Sequence, residues 1–310
     1  TAHAAVSPSS TTLAGGSTCT LDNGLLRAVI DDQGHIVSLR DLAGGRELVP
    51  SGEAFGALEL FRDQPVRWDA WDVDRHVLEL SADFDPTPPV VTIHSPAGSD
   101  GAQSTSRVTV DRTRGDSTFR VEFRLPEGAA ELEIAVDVDW HEREHLLKLA
   151  LPLDLHTRTA RYETQYGVVE RSVTSNTSWD EAQYEVSQHR FVHLEEPGCG
   201  IGVVNDSSYG LDVRSVAGGT VVRPSLLRGA RFPDPGSDLG RHRLRFAVVV
   251  GDLPATIDAA YSLNAPVLDL PALEPLLQLE LAEGTAAVDW ITLAEDGSGD
   301  VIARIAELAG

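Results

Sequence analysis

The chain of 310 residues contains no methionine, one lysine (Lys148) and two cysteines, and only 6% of it is aromatic. Each scarcity excludes something. Lacking methionine, the sequence does not open on its own initiator, so it is expected to be a processed product or an excised piece of a longer polypeptide. Cys19 and Cys199 stand alone with neither metal-ligand nor redox spacing, and are expected as idle or buried thiols rather than a disulfide or a nucleophile. No apolar run approaches the roughly 18 residues of a membrane span, and residues 1–20 lack the basic-then-apolar order of a secretion signal. A cytoplasmic location is expected, where the sequons at Asn176 and Asn205 carry no glycan. Basic residues are scarce too: 25 Lys and Arg face 48 Asp and Glu, a net charge of −23. Such a surface repels phosphate backbones and anionic headgroups, which argues against nucleic-acid and membrane partners. Arginine in place of lysine, with abundant Ala, Gly and Asp, suggests a GC-rich bacterial genome.

What is present is a core and a period. An apolar content of 42% is enough to fold one large domain or two ordinary ones. Leu132, Ile134, Val136, Val138 and Trp140 alternate with polar or small residues, as do Phe119, Val121, Phe123 and Leu125. This period of two predicts strands, here a hairpin around residues 126–130. Residues 21–30 and 35–41 read as an opening hairpin whose turn needs a positive φ at Gly34. Segments 200–205, 211–216 and 244–250 are strand-like, and residues 82–105, broken by four prolines, read as edge strands and loops. One short helix is expected at Leu253–Leu263, ended before Pro266. The sum is an all-β chain, a large antiparallel sandwich.

Residues 141–145 read HEREH, a formal zinc-protease motif. It needs a helix, where side chains four apart share a face about 6 Å from each other. The flanks instead alternate as strands, with apolar parity switching from even to odd, which predicts a bulge or short turn at HERE. On an extended chain the two histidines lie on the order of 13 Å apart, too far for one ion, and no third ligand follows. No metal is assigned to the chain.

The same stretch continues through RYETQYG (161–167), VER (169–171) and NTSWD (176–180), and it is accompanied by WDAWDVD (68–74) and by SLLR (225–228), FPDP (232–235) and Asp238. In this order and spacing, over roughly residues 20–250, the chain resembles the β-rich C-terminal region of glycoside hydrolase family 38 α-mannosidases, nearest their cytosolic and bacterial branch. The resemblance implies a galactose mutarotase-like β-supersandwich. Residues 1–18, with little apolar content, have the composition of a linker, and the resemblance implies the supersandwich at 19–270 and the start of a small β-sandwich at 271–310. It also implies that a catalytic barrel with zinc, nucleophile and acid/base precedes this region, performing a retaining hydrolysis of α-mannosides. Nothing in the chain resembles that barrel, so catalytic residues and cofactor are expected outside it, and the fragment alone is expected to be inactive.

Trp68, Asp69, Trp71, Asp72 and Asp74 bring indoles and carboxylates together, the pairing that stacks on sugar C–H faces and accepts hydroxyl hydrogen bonds. The alternative is core packing and turn caps. Arg228, Asp234 and Asp238 lie in an irregular loop which, by the resemblance, approaches the sugar subsite at Arg228; alternatively Arg228 pins the loop through Asp234 or Asp238. A third group, Tyr162, Glu163, Gln165, Tyr166, Asn176, Ser178, Trp179 and Asp180, reads more readily as a network organising strand ends. The expected partners are an α-mannoside or oligosaccharide and the catalytic domain of the same polypeptide. Two rival functions stand beside this reading. One is a free-standing carbohydrate-binding module; the other is a mutarotase-like epimerase using His76 or His193.

Overall fold

Alternation is realised most fully at Glu131–Trp140, where every even residue is buried and every odd one half-exposed. Such burial needs a strand with a core on one face and water on the other. The computed structural model, which describes residues 9–95, 106–265 and 286–308, supplies both. A ten-stranded sheet runs in the spatial order Ser9–Thr12, Val90–Ser95, Arg107–Arg114, Ser117–Arg124, Glu131–Trp140, Gly240–Val250, Cys199–Asn205, Phe191–Glu196, Thr159–Thr164 and Gly167–Ser172. A six-stranded sheet runs Val186–Ser187, Gly210–Val216, Gly219–Arg228, His145–Leu153, Ala57–Arg62 and Ser81–Ala82. Cys19–Asp22, Leu26–Ile30, Ile36–Asp41 and Arg46–Glu47 make a third, four-stranded sheet. The described strand pairs are antiparallel. One buried cluster joins the sheets, with Phe123, Ile134 and Val248 from the first, Leu60, Leu149 and Val222 from the second, and Leu26 and Leu39 from the third.

Residues 141–144 carry the chain from the ten-stranded sheet to the six-stranded one. The parity switch therefore marks a change of sheet, not a bulge within one strand. Elsewhere the local reading needs correction. Residues 21–30 are two strands rather than one, because the Asn23 side chain accepts from the amides of Leu25 and Leu26 at 3.0 and 2.8 Å and turns the chain. Within the expected linker, Ser9–Thr12 pairs with Val90–Ser95, which is thereby covered and is not an edge. The hairpin turn at Gly34 holds: its φ is 76°, and a Cβ there would lie 2.3 Å from Val110 Cγ1.

The helix Leu253–Asn264 is capped by Asp252, whose side chain accepts from Ala255 N at 3.0 Å. It packs Leu253, Ile257 and Ala260 onto Phe191, Val204 and Ala247 of the ten-stranded sheet. Ala286–Leu293 and Val301–Glu307 form a separate two-stranded sheet, whose Ala306 joins that same cluster along with Leu308 just beyond it. Residues 1–8, 96–105 and 266–285, with the expected division at 270, lie outside the described residues. No described helix is long and apolar enough to cross a membrane.

Candidate functional site

Strands Ala57–Arg62 and Gly219–Arg228 both flank His145–Leu153. Adjacent strand ends place the loops that leave them side by side. The first loop carries residues 63–74 and the second residues 229–239, and the HERE turn lies between them. Glu144, at φ 53°, donates its amide to Gly229 O at 2.7 Å and accepts at its carbonyl from Asp63 N at 2.7 Å. Gly229 N closes the junction on His145 O at 3.0 Å. A Cβ on Gly229 would sit 2.3 Å from Glu142 O, so only glycine permits this approach.

On that base the two loops interlock. The Arg228 guanidinium pairs with Asp63, which is 2% exposed, and donates to the Asp72 carbonyl. Arg228 N donates to Asp238 Oδ2 at 2.7 Å, and Arg231 N to Asp69 Oδ2 at 2.9 Å. Asp74 accepts from Val66 N at 2.8 Å. Below, Val77 of the short 3-10 helix Arg75–Glu79 packs with Phe61 and Leu146 in a small core of its own. Above, the aromatic side chains are left in solvent: Trp68 is 65% exposed, Trp71 63% and Phe232 62%. Trp68 and Trp71 meet edge to face at 6.2 Å, and Phe232 lies 6.2 Å from Trp71.

Seven of the eight candidate residues in the first two groups are thus brought together: Trp68, Asp69, Trp71, Asp72, Asp74, Arg228 and Asp238. Asp234 is not; its carboxylate accepts from Gly236 N at 2.8 Å in an exposed turn. Arg228 does pin its loop, but its ion-pair partner is Asp63, a residue the sequence did not single out. Asp63 lies 165 positions away, and no local spacing announces such a pair. Phe232 was missed for the same reason.

The third polar-aromatic group divides. Tyr162 is buried under the Arg171 guanidinium at 4.7 Å, and Glu163 is buried with Arg190 N donating to it at 2.8 Å. Trp179, by contrast, is 83% exposed on the short helix Ser178–Glu181. That helix is tied to the rim: Glu181 pairs with Arg75, and Tyr184 Oη donates to Val73 O at 2.6 Å. Burial and then the carboxylates of Asp72, Asp74 and Glu185 push the Tyr184 phenol up, a sign of the rim's negative field.

The HEREH residues do not fit a zinc site. Arg114 Nη2 donates to His145 Nε2 at 3.2 Å, so the ring proton sits on Nδ1 and donates to Arg143 O at 2.7 Å. Glu142 accepts from Arg114 and from Ser117 Oγ at 2.9 Å. His141 faces Asp139 at 3.1 Å. Among the described residues no three His, Cys, Asp or Glu side chains gather as metal ligands. Of the two histidines the epimerase reading would use, His193 is buried beneath the helix, with Nδ1 2.9 Å from Thr256 Oγ1. A cleft of about 630 Å³ lined by Asp111, Arg120, Asp137 and Arg241 shares no residue with the rim.

The family model for the glycosyl hydrolases family 38 C-terminal domain matches residues 21–236. Alpha-mannosidase 2C1 of Homo sapiens is 36% identical over 260 residues, 83% of this chain and 24% of the human protein. Alpha-mannosidase G of Dictyostelium discoideum is 29% identical over 313 residues, 94% of this chain and 27% of that protein. The chain spans about a quarter of the length of these curated relatives. Among solved structures, an alpha-mannosidase from Enterococcus faecalis V583 matches with a TM-score of 0.66 at 14% identity, over 96% of this chain and 37% of its own. A Klebsiella pneumoniae protein named as an aldose 1-epimerase matches with a TM-score of 0.53 at 8% identity, over 83% of this chain and 94% of its own. At these identities the likeness speaks for the fold alone, and it is the mutarotase-like supersandwich that the sequence led us to expect.

Proposed function

The chain belongs to the glycosyl hydrolases of family 38 as their C-terminal domain, and from that premise we propose that it forms the substrate-side β region of an α-mannosidase. In this reading it contributes the rim of the active site and cleaves no bond itself. The observation that carries the reading is the braced rim: Trp68, Trp71 and Phe232 stand exposed beside Asp69 and Asp72 on loops fixed from below by Arg228 and Asp63. Flat apolar rings and acceptor oxygens held in one arrangement suit a sugar, because little side-chain freedom is lost on binding. The nucleophile, the acid/base and zinc belong to a catalytic domain of the same polypeptide, which packs against this face. The near-absence of lysine, with arginine as the basic residue, and the lack of a long apolar run support a bacterial, cytoplasmic enzyme.

The test has two arms. The chain alone is expected to give no turnover of an aryl α-mannoside with or without zinc, and turnover that survives repurification overturns the reading. In the full-length enzyme, Asp72→Ala is expected to lower kcat and kcat/KM together by about tenfold, the loss of one hydrogen bond to a charged group. Should the rim bind mannosides in the isolated chain as tightly as in the whole enzyme, the chain is instead a free-standing binding module.

A further inference from the structure

The only lysine of the chain lies where no surface interaction can use it. Lys148, midway along His145–Leu153, has no exposed side-chain area, and every other non-histidine cationic side chain in the sequence is an arginine. Three oxygens surround its Nζ: Glu185 Oε2 at 2.6 Å, Ser225 Oγ at 2.8 Å and Asp212 Oδ1 at 2.9 Å. They come from three separate segments. Glu185 and Ser225 accept hydrogen bonds from the ammonium and Asp212 faces it as an ion pair; a compact ammonium can turn its donors in separate directions, whereas a guanidinium fork presents its donors in one plane, so lysine suits this position and arginine does not.

The two carboxylates depend on Lys148 unequally. Asp212 also meets Arg223 at 2.8 Å and Arg214 at 3.1 Å, so it keeps two cations if the lysine is lost. Burial opposes its ionisation, but these three cations together hold its carboxyl below the ordinary range. Among the described residues, Glu185 has besides Lys148 only the Ser225 hydroxyl as a side-chain hydrogen-bond donor. Glu185 closes the segment 178–185, which reaches the rim through Tyr184 to Val73 O and through Glu181 to Arg75. A single buried charge therefore stands at the root of a chain of contacts that ends beside Trp68 and Trp71.

We propose that Lys148 is a positioning residue: its ammonium anchors residues 178–185 to the six-stranded sheet and, through Tyr184, holds the Trp68–Trp71 loop in its exposed arrangement. The clamp stands on the contacts alone; its bearing on sugar recognition rests on the proposed function above. A sole lysine also makes the clamp directly observable, since an amine-reactive ester finds no other lysine in the chain.

Acetylation with an N-hydroxysuccinimide ester, mapped by mass spectrometry, is expected to modify Lys148 at least about a hundredfold more slowly in the folded chain than in the unfolded one, because reaction requires local opening. Modification at the unfolded rate overturns the proposal without any variant being made. In Glu185→Ala the rate should rise at least tenfold. Hydrogen exchange should rise in residues 66–74 and 176–187 but not in Glu131–Trp140, and the near-ultraviolet dichroism of the Trp68–Trp71 pair should weaken. Lys148→Met should loosen the same segments, and Lys148→Met with Glu185→Gln, which removes both charges, should restore them. Uniform exchange across the sandwich, or loosening of 176–187 that leaves 66–74 unchanged, refutes the positioning role. Titration of the full-length enzyme with methyl α-mannoside forms a separate arm: an affinity unchanged by Trp71→Ala counts against the sugar-contact reading, while labelling and exchange still decide the clamp.

Discussion

Two parts of the molecule expose large apolar side chains, and they are supported in opposite ways. Trp68, Trp71 and Phe232 stand over a framework of polar contacts between the loops: the buried pair of Arg228 with Asp63, Arg231 N with Asp69, and the Glu144 backbone with both loops. Trp290, Leu293, Val301 and Ile305 are exposed to a similar degree on the hairpin Ala286–Glu307. That hairpin meets the sandwich through Ala306, followed by Leu308, and through a contact of Tyr166 with Asp289 at 3.5 Å. Exposure alone therefore does not mark a site. An exposed ring held from beneath can recognise a ligand with little ordering cost, whereas an apolar surface on a two-stranded sheet is held mainly by its own ladder.

The sharpest way to break this contrast is Arg228→Ala. It strips the partner from a carboxylate that is 2% exposed, and removing one member of a buried pair costs on the order of 3–5 kcal/mol. Urea unfolding of the chain should show that loss, and an unchanged midpoint would mean the rim is not braced as described. Next in size is Gly229→Ala, whose Cβ meets Glu142 O at 2.3 Å; overpacking of this kind costs about 1–3 kcal/mol. Asp72→Ala separates recognition from support, because Arg228 uses the Asp72 carbonyl and not its carboxylate. Its unfolding midpoint should move by less than about 0.5 kcal/mol, while the activity loss described above persists in the full-length enzyme.

Acid probes the other side of the sandwich. Burial lowers the His193 imidazole below its ordinary value of 6.5, with Glu195 opposing. The unfolded chain therefore takes up this proton at higher pH than the folded one, and stability should fall as pH drops from 6.5 toward the folded value. His193→Gln should flatten that part of a melting-temperature profile. The smallest effect is expected in the hairpin: Leu293→Ser with Ile302→Ser should leave the sandwich midpoint within about 0.5 kcal/mol. It should reduce concentration-dependent association in sedimentation. A large stability loss there would show the hairpin to be as integral as the rim.

Strands such as Glu131–Trp140 and Ser117–Arg124 were legible because a period of two is a local property, written into neighbours along the chain. So was the helix Leu253–Asn264, with its stop before a proline, although its cap at Asp252 was not singled out. Ser9–Thr12 was not, since its composition is that of a linker and only the partner strand Val90–Ser95 makes it a strand. The HEREH string misleads for a related reason: the metal reading assumes a helix, and what the residues build is a turn between sheets.

The sequence by itself determined the all-β class, the strands with a clear period of two, the family, and the residue types that could face a sugar. Only the tertiary structure decided that residues 68–74 and 228–238 form one surface, that Arg228 is held by Asp63, and that Lys148 lies buried among Glu185, Asp212 and Ser225. Period and turn chemistry act over a few residues, so sequence carries them openly. An ion pair between positions 63 and 228 exists only because two strands happen to flank a third, and that adjacency is settled when the sheets assemble.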